Sequence, residues 1–159
     1  MNMRKRFYFN SQDGWGWPTA KELEPFFLSP PGKRWFFETG NDGGLLAAEG
    51  IDDTEHLRPG AGRIDIYLEM YGHPELGVFL LYLKTGGQGR GAFSSKGDLT
   101  KLRQWVRTLH NDPMPLGLFI PYADAWRAVK EFIETDGKLP TSIAWISNKD
   151  LPPGTFPDP

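Results

Sequence analysis

The sequence has no cysteine among its 159 residues. Disulfide bridges, thiolate metal sites and cysteine nucleophiles are therefore excluded. No apolar run approaches the roughly 18 residues of a membrane-spanning helix, and no apolar segment typical of a secretory signal follows the basic residues Arg4, Lys5 and Arg6. We therefore expect a cytoplasmic protein without a membrane partner.

A strong excess of either charge is also lacking, since the formal net charge is −2. A chain this close to neutrality gives no general argument for binding to nucleic acid or to an anionic membrane. We therefore expect no direct contact with nucleic acid. The length predicts a single domain over residues 1–159. Its best-supported core is expected at 63–147, and the proline-rich residues 148–159 are expected to form a C-terminal arm.

Catalytic motifs are missing as well. The glycines in Gly86–Gly91 lack the spacing of a phosphate-binding loop, and a strand rather than a helix is predicted after them. His56, His73 and His110 are far apart and close to predicted turns, and Ser94–Ser95 lacks the flanking glycines of a nucleophile elbow. We therefore predict no catalytic residue, no metal-binding residue and no cofactor, and hence no enzyme.

The clearest helix begins near Pro121, a residue tolerated in the first helical turn because its missing N–H needs no partner there. Its apolar residues recur with helical spacing and share one face: Tyr122, Ala125, Trp126, Val129, Phe132 and Ile133. Gly137 is placed as the residue that ends the helix in a left-handed conformation. A short strand over Ser142–Ile146 is predicted to follow.

Alternation of apolar and polar residues from Ile64 to Met70 predicts a strand with one buried face. The apolar run Val78–Leu83 is typical of a central strand that is covered on both faces. Further predicted strands cover Arg4–Asn10, Lys33–Glu38, Leu45–Glu49 and Ala92–Ser95, and a capping box at Thr19–Glu22 predicts a short helix. The expected fold is α+β, a single mostly antiparallel sheet of about six or seven strands with one or two helices on one face.

Residues 99–110 fit both a helical period and strand propensity. We favour a strand, because a turn at Asn111–Pro113 and an extended segment at Leu116–Ile120 are predicted to follow it. In the C-terminal arm, Leu151 and Phe156 are the residues expected to attach the chain to the body of the protein.

Charge is distributed unevenly along the chain, because acidic residues dominate from Asp42 to Glu75 and basic residues from Lys84 to His110. These two groups either neutralise each other in the fold or leave an acidic surface that docks a basic partner. Glycine-flanked tryptophans in a predicted loop are candidate interface anchors, although packing at a sheet edge is equally compatible with them. The predicted partner-binding residues are Asp42, Glu49, Asp52, Asp53, Glu55, Asp65, Glu69, Trp15 and Trp17.

A family resemblance covers about residues 63–159. It is carried by the turn Ser94–Asp98, the run Pro115–Pro121 and the closing stretch Leu151–Pro159, together with residues of the helix and the strand after it: Ala125, Ala128, Val129, Lys130, Glu131, Phe132, Thr135, Gly137, Pro140 and Trp145. These residues resemble the first-numbered immunity-protein family of bacterial polymorphic toxin systems. The matched residues are mainly fold-forming and carry over no binding site.

The resemblance implies a cytosolic antidote that forms a one-to-one complex with a cognate toxin domain. Such toxins are often nucleic-acid deaminases or nucleases, and the antidote blocks the active site. Two alternatives stay open at this point: a small-molecule-binding enzyme that uses the Gly86–Gly91 loop and Ser94, and a housekeeping protein-interaction module in which Trp15 and Trp17 hold a peptide.

Overall fold

The computed structural model describes residues 3–9, 12–28 and 43–157. The strand predicted at Lys33–Glu38 and the predicted partner-binding residue Asp42 lie outside these ranges. In the described part of the chain, no helix is both long enough and apolar enough to cross a membrane.

The described residues form ten strands and two α-helices. In chain order the elements are β1 (Arg4–Phe9), β2 (Gln12–Trp15), α1 (Ala20–Leu28), β3 (Gly43–Glu49), β4 (Asp65–His73), β5 (Gly77–Thr85), β6 (Gly91–Ser95), β7 (Trp105–Arg107), β8 (Pro113–Pro115), β9 (Phe119–Ile120), α2 (Tyr122–Glu134) and β10 (Trp145–Ser147). The main sheet has the order β10-β6-β5-β4-β3-β1-β2, with β9 paired to β5. Every described pairing in it is antiparallel, which confirms the predicted α+β class.

One face of the sheet, which we call the helix-side face, carries the main core. Leu46, Ile66 and Leu68 point to it from β3 and β4 and are at most 1% exposed. Helix α2 packs Val129 and Phe132 into the same cluster, and α1 contributes further apolar side chains to it. Burial of these large apolar groups is the main stabilising contribution to the fold.

The capping box predicted at the start of α1 is present, and α2 ends close to the predicted position, although its first left-handed residue is Asp136 and Gly137 follows it. The Thr19 N–H donates to Glu22 Oε1 at 3.1 Å, and the Glu22 N–H donates to Thr19 Oγ1 at 3.2 Å, as a capping box requires. Gly137 has φ +97°, and its N–H donates to the Phe132 carbonyl oxygen at 2.8 Å. A Cβ at Gly137 would collide with the terminal methyl group of Ile66, so packing as well as the left-handed conformation favours glycine here.

Several predicted strand bounds are wrong. Residues 99–110 contain only the three-residue strand β7, and a 3-10 turn occupies Leu99–Lys101 because the Asp98 carboxylate accepts the Thr100 N–H at 3.1 Å. Leu116–Leu118 is also a 3-10 turn, so only the last two residues of the predicted extended segment, β9, are a strand. The strand predicted over 142–146 begins only at Trp145.

A second, smaller core covers part of the opposite face of the sheet. Phe79 of β5 packs there with Leu118 and Phe119, against which Leu151 of the C-terminal arm also packs. The Phe156 ring stacks on Phe79 with their centroids 6.1 Å apart. Both predicted attachments of the arm, Leu151 and Phe156, are therefore confirmed.

Candidate partner-binding surface

The rest of this opposite face carries half-buried side chains instead of a closed core. Cross-strand pairing places Tyr8, Leu45, Glu69 and Leu81 in one row across β1, β3, β4 and β5. The next row runs from Arg6 through Ala47 to Tyr67 and Leu83. We call the half-buried members of these rows the open face: Arg6, Tyr8, Leu45, Tyr67, Glu69, Leu81 and Leu83. Tyrosine, arginine and leucine side chains on a flat sheet provide apolar contact area together with polar ends.

Trp15 lies at the edge of the open face. It pairs with Arg6 across β1 and β2, and it is 72% exposed, which makes it the most exposed large apolar side chain in the described residues. An indole this accessible is suited to insertion into a partner pocket. Partner contact by Trp15 is untested by these observations and stays a prediction.

Trp17 is placed quite differently. Its indole Nε1 donates to the Ala47 carbonyl oxygen at 2.9 Å, and its ring centroid lies 5.0 Å from that of Phe132. Lys5 Nζ lies 4.5 Å from the centre of the indole ring. Trp17 is therefore held within the helix-side packing, and its role as a partner contact also stays a prediction.

Glu49 and Asp65 belong to an ion-pair network at the end of the sheet. Arg63 Nε lies 2.9 Å from Asp65 Oδ1, and Arg63 Nη2 lies 3.1 Å from Glu49 Oε2. The Gly50 N–H also donates to Asp65 Oδ1 at 2.9 Å, and the hydrogen bond to Asp65 is the main reason that the pKa of Arg63 is raised. Much of the charge of these two predicted contact residues is thus neutralised inside the fold.

The acidic turn that follows β3 is more accessible. Asp52 and Asp53 are exposed and adopt left-handed conformations, with φ of +55° and +60°. Glu55 is half-buried, and within the described residues its Oε2 has no hydrogen-bond partner. The sequence therefore identified an acidic end of the sheet, of which Asp52 and Asp53 provide the solvent-facing charge.

A cavity of about 630 Å³ lies between this turn, the β5–β6 loop and the end of α2. Asp52, Lys84, Gly89 and Lys138 are among its lining residues, so both charges are represented. Tyr82 also lines it, but its hydroxyl donates to the Gly137 carbonyl oxygen at 2.9 Å, and burial raises its pKa to about 12. This tyrosine is therefore a structural group and is protonated at neutral pH.

The other groups considered for chemistry are engaged in the fold. Ser95 Oγ donates to the Leu118 carbonyl oxygen at 2.6 Å, and Ser94 Oγ donates to Asn148 Oδ1 at the same distance. Both serines are buried in β6. His73 Nδ1 accepts backbone N–H groups in the β4–β5 turn, and within the described ranges no three histidine or acidic side chains are grouped for metal binding.

Glu69 lies in the middle of the open face, between Leu45 on β3 and Leu81 on β5. Burial raises the pKa of its carboxyl group. Among the residues that the structure describes, none forms a hydrogen bond or an ion pair with this carboxylate. The alternation along β4 identified Glu69 as outward-facing, but only the sheet order shows that its neighbours on both sides are apolar.

Comparison with known proteins gives a single family. A family model described as Immunity protein Imm1 matches residues 44–147, from β3 to the end of β10. No curated protein and no solved structure matches the chain. The matched range contains the acidic turn, Glu69 and the β3–β5 part of the open face.

Proposed function

Because the chain belongs to the Imm1 immunity protein family, we propose that it binds a cognate toxin domain and neutralises it by covering the active site. Membership of the family indicates an immunity role, which is a binding role and not an enzymatic one. The match over residues 44–147 is the observation that carries this proposal. We further propose a one-to-one complex formed in the cytoplasm, without a membrane or nucleic acid partner.

The open face is the surface that we propose for the complex. Its tyrosines and leucines supply contact area that a partner can desolvate, and Trp15 at its edge supplies an anchor. The same strands contribute their alternate residues to the core, so the surface is held rigidly before binding. Such preorganisation reduces the entropy lost on association.

The acidic turn supports the proposal that the toxin acts on nucleic acid, as either a deaminase or a nuclease. Enzymes that bind nucleic acid present basic side chains to the phosphates, and a basic cleft is complementary to Asp52 and Asp53. Complementary charge mainly raises the rate of association and the selectivity between partners. The predicted contacts Glu49, Asp65 and Asp42 belong to the same proposal, since all three lie within the acidic part of the sequence.

Co-expression with a candidate toxin domain encoded next to this chain in its own host tests the proposal. We expect the toxin domain alone to arrest growth and the co-expressed pair to grow normally. The purified proteins should elute as a one-to-one complex with nanomolar affinity or better, about −12 kcal/mol. The toxin's deaminase or nuclease activity on nucleic acid should fall in proportion to the complex formed.

Growth arrest that persists in the presence of folded protein, with no complex on size exclusion, would contradict the proposal. The exposed Trp15 also supports the alternative of a housekeeping protein-interaction module. That alternative predicts that the gene can be deleted without self-intoxication when the toxin gene is intact. An immunity protein is required under the same condition, so one deletion separates the two functions.

A further inference from the structure

Glu69 differs in its surroundings from the other predicted contact residues that the structure describes. Two residues away on either side along β4 lie Tyr67 and Tyr71, which share its face of the sheet. Leu45 and Leu81 lie beside it on the neighbouring strands. A single carboxylate thus occupies the centre of a cross formed by two aromatic and two aliphatic side chains.

This arrangement is unfavourable in the isolated protein. A carboxylate that is partly removed from water loses solvation, and it recovers that loss only through hydrogen bonds or an opposite charge. Asp65, on the same face of the same strand, has both, because Arg63 and the Gly50 N–H contact it. Glu69 has neither among the described residues, although the two carboxylates are only four positions apart.

We propose that Glu69 binds an arginine side chain of the partner, which enters the open face between Tyr67 and Tyr71. The inference rests on the proposed function, because the partner is the toxin domain. Among the basic side chains, arginine fits best, since its planar guanidinium donates two hydrogen bonds to a carboxylate and its faces stack on aromatic rings. Arg6, whose guanidinium lies 6.0 Å from the Tyr67 ring, shows the stacking part of this geometry within the chain.

The charge on the open face selects this kind of occupant. An apolar partner surface would bury Glu69 without compensation, and an acidic one would repel it. A basic side chain from a protein that binds nucleic acid gains a desolvated ion pair in the middle of the interface. Such central, desolvated pairs contribute more to affinity than pairs at an exposed rim.

The variant Glu69→Gln tests the inference by two measurements, because we expect the stability of the isolated protein and its affinity for the toxin domain to change in opposite directions. In the isolated protein we expect its melting temperature at neutral pH to exceed that of the original chain, because an unpaired charge is removed. In titrations with the neighbouring toxin domain, we expect its dissociation constant to rise about 30-fold or more, chiefly through faster dissociation. Glu75→Gln, which removes an exposed carboxylate in the β4–β5 turn, is the matched control and should leave both quantities unchanged.

Each outcome bears on a different proposal. If the original chain binds tightly and Glu69→Gln binds equally well, the inference about Glu69 is overturned and the immunity function stands. If the original chain does not bind the toxin domain, both are overturned. A lower melting temperature for Glu69→Gln would also overturn the inference, because it would mean that the carboxylate stabilises the isolated fold and is not reserved for a partner.

Discussion

The two faces of the central sheet are built from the same strands, yet they hold their side chains very differently. On the helix-side face, Leu46 and Leu68 are fully buried against the two helices. One residue along, Leu45 and Glu69 of the open face are only half-buried. For these four residues, burial follows the face of the sheet more than it follows hydrophobicity.

The acidic residues on the face opposite to the helices also fall into two groups, those with an ion-pair partner and those without one. At the end of the sheet, Asp65 and Glu49 are compensated by Arg63, whereas Glu69 in the middle has no such partner in the described chain. Groups that stabilise the fold are paired internally. A group that remains unpaired at a structural cost is the better candidate for function.

The largest expected effect comes from a mutation that creates a cavity in the core on the helix-side face. Phe132→Ala removes a fully buried ring that contacts Trp17 and Tyr82, with centroids 5.0 and 6.1 Å away. We expect the free energy of unfolding to fall by about 4 kcal/mol, as measured by urea denaturation. Leu83→Ala on the open face is the matched control, because its side chain is already half-exposed.

A loss for Leu83→Ala as large as that for Phe132→Ala would mean that the open face is part of the core. The distinction between the two faces drawn above would then be wrong.

The second effect concerns pH. Burial raises the folded-state pKa of Glu69 above its unfolded value, so its ionisation destabilises the fold at pH values above the raised pKa. We expect the difference in melting temperature between Glu69→Gln and the original chain to be largest near neutral pH. It should vanish as the pH falls below the ordinary carboxyl pKa of about 4.3. The titratable and charged neighbours of Glu69 on this side of the sheet are Tyr8, Tyr67 and Tyr71, with Arg6 in the adjacent row. Burial raises the pKa of Tyr67, so this hydroxyl stays protonated throughout that range.

Thermal melts between pH 3 and pH 7 measure this difference, with Glu75→Gln as the reference variant. A difference that does not change with pH would show that the charge of Glu69 plays no part in the stability of the isolated protein.

The smallest effect is kinetic and concerns the acidic turn. The double variant Asp52→Asn, Asp53→Asn removes two exposed charges and keeps residues that tolerate the left-handed conformation. We expect association with the toxin domain to slow roughly threefold at low salt, with little change in dissociation. Stopped-flow measurements at low and high salt check this, since screening should abolish the difference.

Equal association rates for the variant and the original chain at low salt would remove the acidic turn from the proposed interface. Glu55 is left unchanged in this variant, because its buried oxygen would add an effect on folding to the effect on charge.

The sequence predicted the parts of the fold in which local pattern and packing agree. Helix α2 combines a regular apolar face with Gly137 as its terminator, and the structure has both. Strands β4 and β5 were predictable for the same reason, because strict alternation and a continuous short apolar run are both typical of strands in a covered sheet. Residues 99–120 were not predicted correctly. Short 3-10 turns alternate there with strands of two or three residues, so neither a helical nor an extended pattern continues long enough to be recognised.

The candidate site was predicted less completely, since it depends on contacts between distant residues. Trp15 and Trp17 have the same parity, but Gly16, with φ +82°, turns the chain at the end of β2 and sends Trp17 to the helix side. The pairing of Arg63 with Asp65 has a local signal, because the two residues are only two positions apart in the sequence. The apolar surroundings of Glu69 have no local signal in the sequence, because Leu45 and Leu81 belong to the neighbouring strands β3 and β5.

The alternation along β4 also bears on how such a protein can diverge. Ile66, Leu68 and Met70 hold the strand in the core, whereas Tyr67 and Glu69, which alternate with them, are absent from the helix-side core. Mutation can therefore change residues such as Tyr67 and Glu69 while their neighbours preserve the scaffold. Proteins of this fold can therefore adapt to a changing toxin by single substitutions on the sheet surface, each of which leaves the protein folded.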